Sequence, residues 1–95
     1  MVLPTEAFAI PPVETKATAL SNGWAWQIPL RHRTGNGYVY SSAFLSKDAA
    51  EQELRQHLGL LDSEVNARHL QMKVGQVTRS WEKNCLALGL SQGFI

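Results

Sequence analysis

Cysteine is almost missing from this sequence: Cys85 stands alone, so no internal disulfide can form. No Cys/His spacing of the zinc type accompanies it, and sparse cysteine use fits a reducing, cytoplasmic setting. An excess of charge of one sign is missing too. Nine basic and eight acidic side chains give a formal net charge of +1, scattered without runs. Nothing in that pattern invites nucleic acid or an anionic membrane surface. Long apolar runs are absent as well: residues 1–10 are apolar but lack a basic start and a small-residue cleavage site, and no stretch approaches a membrane span. A soluble protein is therefore expected. At 95 residues the chain allows one small domain at most, and a domain of that size hides a smaller share of its surface than a larger one.

What is present reads as sheet and one helix. Met1-Val2-Leu3-Pro4 resembles the end of a strand, and Ile10-Pro11-Pro12 an extended linker, since each proline fixes its own φ and restricts the residue before it. Residues 15–20 are compatible with a short strand. Trp24, Trp26, Ile28 and Leu30 then alternate with Ala25, Gln27 and Pro29, giving one large apolar face and one smaller face. Gly35-Asn36-Gly37 reads as a hairpin turn leading to a second strand, 38–44, that pairs back antiparallel. Pro29 cannot donate to a ladder, so its strand lies at a sheet edge or ends its regular pairing there. Ser46 is suited to cap a helix to about Leu58, with Ala50, Leu54 and Leu58 on one face, Glu51 four residues before Arg55, and Gly59 to close it. Residues 60–66 form a connection. Leu70, Met72 and Val74 alternate as a half-buried strand would, Gly75 marks a turn or bulge, and residues 85–90 read as a buried strand delivering a small-residue loop.

Several residues could carry chemistry. Gly35-Asn36-Gly37 opens like a phosphate-binding Gly-x-Gly-x-x-Gly, but Tyr40 stands at the third glycine and a strand follows where a helix is required. His32, His57 and His69 sit on separate elements without metal-site spacing and are expected as surface or partly buried imidazoles. Cys85, inside an apolar run with no base nearby in sequence, is expected in the core. Trp24 and Trp26 support two readings: core packing, or a rigid aromatic screen beside a cofactor. Composition does not separate these.

Gly23-Trp24-Ala25-Trp26-Gln27-Ile28-Pro29-Leu30 resembles the Trp-x-Trp-x-Ile-Pro signature of flavin-dependent tryptophan halogenases. The likeness continues through residues 33–42 and resumes over 81–94, the segment that in this family passes under the flavin, with the poorest match at 60–66. The resemblance implies an α+β antiparallel sheet with one main helix, a fragment of an FAD-dependent monooxygenase-like α/β halogenase fold, with residues 1–95 forming a single partial domain from the middle of such an enzyme. It implies FAD as cofactor, oxygen and halide as reactants, tryptophan or a related aromatic as substrate, and a flavin reductase as the supplier of reduced flavin. In the family, halide attacks the oxygen-reacted flavin, and the hypohalous acid so formed passes along a tunnel to a lysine. By resemblance, Trp24, Trp26, Ile28 and Pro29 line the flavin side of that tunnel and keep the organic substrate from the flavin. Leu90 corresponds to a flavin contact, with Gly89, Ser91 and Gly93 on the same loop, where small residues let backbone approach a planar cofactor.

The chain also departs from the family. Gln76 stands where arginine follows the glycine, and Gln92 where serine precedes one. The nucleotide-binding fingerprint, the catalytic lysine and a Glu-Pro-Leu-Glu-Ser stretch expected after Ile95 are not in the sequence, so no catalytic residue is assigned and the isolated chain is expected to be inactive. The competing reading is a stand-alone, non-catalytic interaction module derived from the same fold; a plain flavoprotein monooxygenase is disfavoured by the paired tryptophans. Without the phosphate-cradling element the isolated chain is expected to show no measurable FAD binding. Saturable yellow flavin retained through gel filtration would contradict this.

Overall fold

The computed structural model describes residues 1–94; Ile95, the last residue of the expected unit, lies outside the described residues. Four strands, β1 (Val2–Thr5), β2 (Lys16–Leu20), β3 (Gly23–Pro29) and β4 (Thr34–Tyr40), form one antiparallel sheet in the order β1-β4-β3-β2. A single α-helix, α1 (Lys47–Leu58), packs on it. Beyond α1 come two small two-stranded ribbons: β5 (Gly75–Gln76) with β8 (Gly93–Phe94), and β6 (Trp81–Glu82) with β7 (Cys85–Leu86). A 3-10 turn, Gly89–Ser91, precedes β8. The sheet-rich architecture with one main helix is the one expected.

The β3–β4 register runs without interruption from Gly23↔Tyr40 to Pro29↔Thr34, so alternation assigns every side chain to one of two faces. The inner face carries Leu3 from β1, Thr34, Asn36 and Tyr38 from β4 and Ala25 from β3, all buried. Ala50 and Leu54 of α1 close over them, and with Met1 they form the core. The buried Asn36 side chain on this face is tied to two neighbouring strands. The Asn36 side-chain amide donates to the Thr5 hydroxyl (3.0 Å), and its carbonyl accepts from Gln27 Nε2 (3.0 Å), which joins β1, β3 and β4.

Asn36 therefore lies mid-strand, a correction to the expected Gly-Asn-Gly turn. The chain reverses instead at residues 30–33, where the Leu30 N–H donates to the Arg33 carbonyl at 2.9 Å. Pro29 ends β3, and the pairing of β3 with β2 stops two residues earlier, at Lys16↔Gln27. Of the two options open for Pro29, loss of regular pairing is the one realised, since β3 is an inner strand. The second hairpin strand ends at Tyr40, short of the expected residue 44.

Local signals fix the helix. The Ser46 hydroxyl accepts from the Ala49 N–H at 3.2 Å, and Gly59, at φ 70°, lets the Leu60 N–H reach the Arg55 carbonyl at 2.7 Å. Glu53 fastens α1 to the β2–β3 turn, accepting from the Ser21 N–H (2.8 Å), the Ser21 hydroxyl (2.9 Å) and the Tyr38 hydroxyl (2.8 Å). Arg55 holds the following connection through the Ser63 and Val65 carbonyls and pairs with Glu51 at 2.8 Å.

The remaining segment departs from expectation. Among the described residues Leu70, Met72 and Val74 are exposed and belong to no strand, and Arg68 makes an isolated bridge to Val2. Residues 85–90 give a two-residue strand and a 3-10 turn in place of a buried strand, and Cys85 is exposed where a core position was expected. Apolar periodicity produces a buried strand only where partner strands and a cover exist; among the described residues 70–74 have neither, and Cys85–Leu86 pair only with the exposed two-residue β6. The surface reflects this: 7606 Å² is accessible, against about 5,500 Å² for a folded monomer of this mass. The radius of gyration is 15.9 Å, against roughly 12 Å for a compact domain of this length.

Leu54→Ala is expected to cost about 2–5 kcal/mol in urea unfolding followed by circular dichroism, as removal of a fully buried leucine does. Titration adds a second expectation. The His69 hydrogen bond, then that of Arg55, holds the Glu51 carboxyl below 4.5. Burial pushes Glu53 up, but the Ser21 and Tyr38 donors outweigh it and leave Glu53 below 4.5 as well. Burial, and then Glu53, push the Tyr38 phenol above 10. Lowered carboxyl values stabilise the fold above 4.5 and lose that contribution as pH falls below it, whereas a raised phenol loses its contribution as pH climbs past 10. Stability measured against pH should fall on both sides of that window, and Glu53→Gln should make the acid limb shallower; an unchanged acid limb in that variant would contradict the assignment.

Candidate functional site

The outer face of the sheet, away from α1, is where the tryptophans lie. Trp24 and Trp26 share it with Ile28, and their cross-strand partners on the same face are Val39, Gly37 and Gly35 of β4 and Ala19 and Ala17 of β2. Among the described residues no element covers this side: Trp24 is 44% exposed, and Ile28 and Leu30 are also exposed. Of the two readings open for the tryptophans, core packing is therefore not the one realised within this chain. Ala25 and not an indole meets the helix.

The two indoles sit differently. Trp24 stands opposite Val39, whereas Trp26 stands opposite Gly37 and lies across β4. A Cβ built on Gly37 would fall inside the Trp26 ring, and one on Gly35 would touch it at 3.4 Å. Both glycines have ordinary strand φ values, so space and not backbone freedom is what they supply. Pro29, the fourth residue of the expected shield, is out of phase with the other three, because alternation places it on the side of buried Thr34.

The second expected cluster is the 89–93 loop. Gly89 adopts a left-handed φ of 58°. The Ser91 hydroxyl donates to the Leu88 carbonyl at 2.7 Å and accepts from the Leu88 N–H at 2.9 Å, closing the turn on itself. Gly93 sits against β5 so tightly that a Cβ would meet the Gly75 carbonyl oxygen and Gln76 Cβ, both at 2.7 Å. Leu90 is left projecting, 80% exposed, from this rigid turn. The Ser91 hydroxyl is already engaged within the turn. Gln76 and Gln92, the two departures from the family pattern, meet in the same ribbon: Gln76 pairs with Gly93, and the Val77 N–H donates to the Gln92 carbonyl at 2.8 Å.

Among the described residues these clusters are not brought into one pocket. β3 packs on β4 and β2, while the 3-10 turn packs on β8. The cavity bordered by Trp26 and the one bordered by Leu90 share no lining residue. A larger groove of about 460 Å³ opens between β4 and residues 69–74. His69 lines it, with Nε2 on Glu51 at 2.8 Å and a buried Nδ1 that has no partner among the described residues. Sequence reasoning did not single out this groove, because the residues that build it are far apart in the chain and show no spacing pattern. His32 lies in the β3–β4 turn and His57 on α1, both exposed, as expected of unpaired imidazoles. Among the described residues no group of three or more His, Cys, Asp or Glu could hold a metal ion, and no helix is long and apolar enough to cross a membrane.

The sequence model of the tryptophan halogenase family matches residues 1–95. The tryptophan 6-halogenase SttH of Streptomyces toxytricini is 46% identical over 93 residues, covering 98% of this chain and 18% of that protein. The 7-chloro-L-tryptophan 6-halogenase KtzR of Kutzneria sp. (strain 744) is 47% identical over 81 residues, 85% of this chain and 16% of that protein. The crystal structure of SttH superposes with a TM-score of 0.83 at 42% identity, over 99% of this chain and 20% of that one. BrvH, a flavin-dependent halogenase from Brevundimonas sp. BAL3, gives 0.79 at 44%, over 99% and 19%. The chain thus spans about a fifth of the length of the proteins it matches.

With the outer face uncovered, a dye that fluoresces on apolar surfaces should bind the isolated chain, and Trp24→Ala with Ile28→Ala should reduce that binding. A monodisperse monomer with no dye response would argue against an uncovered face.

Proposed function

The chain belongs to the tryptophan halogenase family, and on that premise we propose that it is the flavin-shielding segment of a flavin-dependent halogenase acting on tryptophan or a related aromatic. The observation that carries this reading is the pair of indoles on one uncovered sheet face, over small residues, in the stretch that bears the family's signature. The surface in excess of what a free monomer of this mass exposes supports a single partial domain completed by the rest of a longer polypeptide.

In the intact enzyme FAD supplies the oxygen chemistry that turns halide into an electrophilic halogen. The part played by this chain's residues is passive. Trp24, Trp26 and Ile28 form a rigid apolar wall that excludes water and holds the aromatic substrate away from the isoalloxazine; Pro29 contributes from the other face, by ending the strand where the turn begins. Leu90, held out by Gly89, Ser91 and Gly93, would contact the flavin from a separate element. Oxygen, halide, the aromatic substrate and a flavin reductase are partners of the whole enzyme, and the general acid/base and halogen-carrying groups are not among the residues of this chain.

The test is a chimera in which this chain replaces its matched segment in the Streptomyces toxytricini 6-halogenase. It should retain FAD and halogenate tryptophan. Trp24→Ala combined with Trp26→Ala should leave FAD bound but lower the halogenated product per flavin oxidised by about tenfold or more, the scale of losing a positioning element. A folded chimera that loses FAD, or one whose product yield ignores both tryptophans, would sink the reading and favour a non-catalytic module.

A further inference from the structure

We propose that Gly37 is a positioning residue for the aromatic wall: its missing side chain forms the seat on which the Trp26 indole lies flat, and this seat sets how far the wall stands above the sheet. The inference rests on Trp26 belonging to that wall. Three observations carry it. Gly37 is the direct cross-strand partner of Trp26, and a Cβ there would overlap the five- and six-membered parts of the indole. Its φ is an ordinary strand value, so the position does not require glycine for its backbone. Trp24, whose partner is Val39 and not glycine, is the more exposed of the two indoles. One strand thus presents one indole seated over glycine and one, opposite valine, left more exposed, and the residue across the ladder accounts for the difference. Gly35 extends the seat more loosely, with its would-be Cβ at 3.4 Å from the ring. A side chain at 37 would lift the indole into the space that the wall is meant to border.

The test is a double-mutant cycle in the full 95-residue chain, with Trp24→Phe and Trp81→Phe leaving Trp26 as the sole indole. Gly37→Ala should raise acrylamide quenching of Trp26 and shift its emission to the red. It should also lower Tm by about 4–8 °C or more, as overpacking does in a domain of this size. In a Trp26→Ala background the same Gly37→Ala change should cost little, because the clash is gone. Gly35→Ala should have a smaller effect on both readouts. If Gly37→Ala abolishes folding while Trp26 is present, restored folding in the Trp26→Ala background supports the seat. Equal loss in both backgrounds, or unchanged quenching and emission in a folded Gly37→Ala variant, overturns it. Neither readout involves flavin or halide, so failure of the halogenase reading in the chimera and failure of the seat are separately visible.

Discussion

The packing of α1 against one face of the sheet is the constraint from which the rest follows. Ala50 and Leu54 come down on Leu3, Tyr38 and Ala25, and the strand position facing the helix on β3 holds an alanine. An indole there would need a much larger gap between helix and sheet. Because strand side chains alternate, seating Ala25 inward obliges Trp24, Trp26 and Ile28 to face outward. A one-residue slip would bury the tryptophans and expose the alanine. The register is held against that slip by Asn36, bonded to both Gln27 and Thr5, and by the Tyr38–Glu53–Ser21 link between sheet, helix and turn. An aromatic face without a cover is thus a consequence of how this small core is built.

Features that depend on neighbours in sequence were legible in advance. The Ser46 cap, the Ala50 and Leu54 face, the Glu51–Arg55 pair and the Gly59 closure each need only a few residues and appear as expected. The common face of Trp24, Trp26 and Ile28 follows from alternation alone. Features that depend on what lies across the ladder were not legible. Gly35-Asn36-Gly37 carries turn chemistry, yet two of its residues are glycine because an indole lies over them and the third is asparagine because it ties three strands. The apolar alternation at 70–74 and the run at 85–90 describe surfaces suited to burial, but periodicity does not state whether the burying partner is in the same hundred residues. Cys85 and Leu90 are exposed for that reason.

The candidate site divides along the same line. Trp24, Trp26 and Ile28 share one sheet face, while the 3-10 turn that carries Leu90 packs on β8. The chain spans about a fifth of the length of its relatives. Each element is held locally: Gly93 and Ser91 close the turn, and the sheet ladder with the Asn36 bonds fixes the face that carries Trp24 and Trp26.

The claim that the sheet has a helix side and an indole side is most directly tested by proton NMR contacts in the 95-residue chain. The account predicts cross-peaks between the Ala25 methyl and the Leu54 methyls, and between the Trp26 ring and the Gly37 α-protons, with the latter shifted upfield by the indole above them. Cross-peaks from the Trp26 ring to Leu54, with Ala25 lacking helix contacts, would show the opposite facing and contradict it.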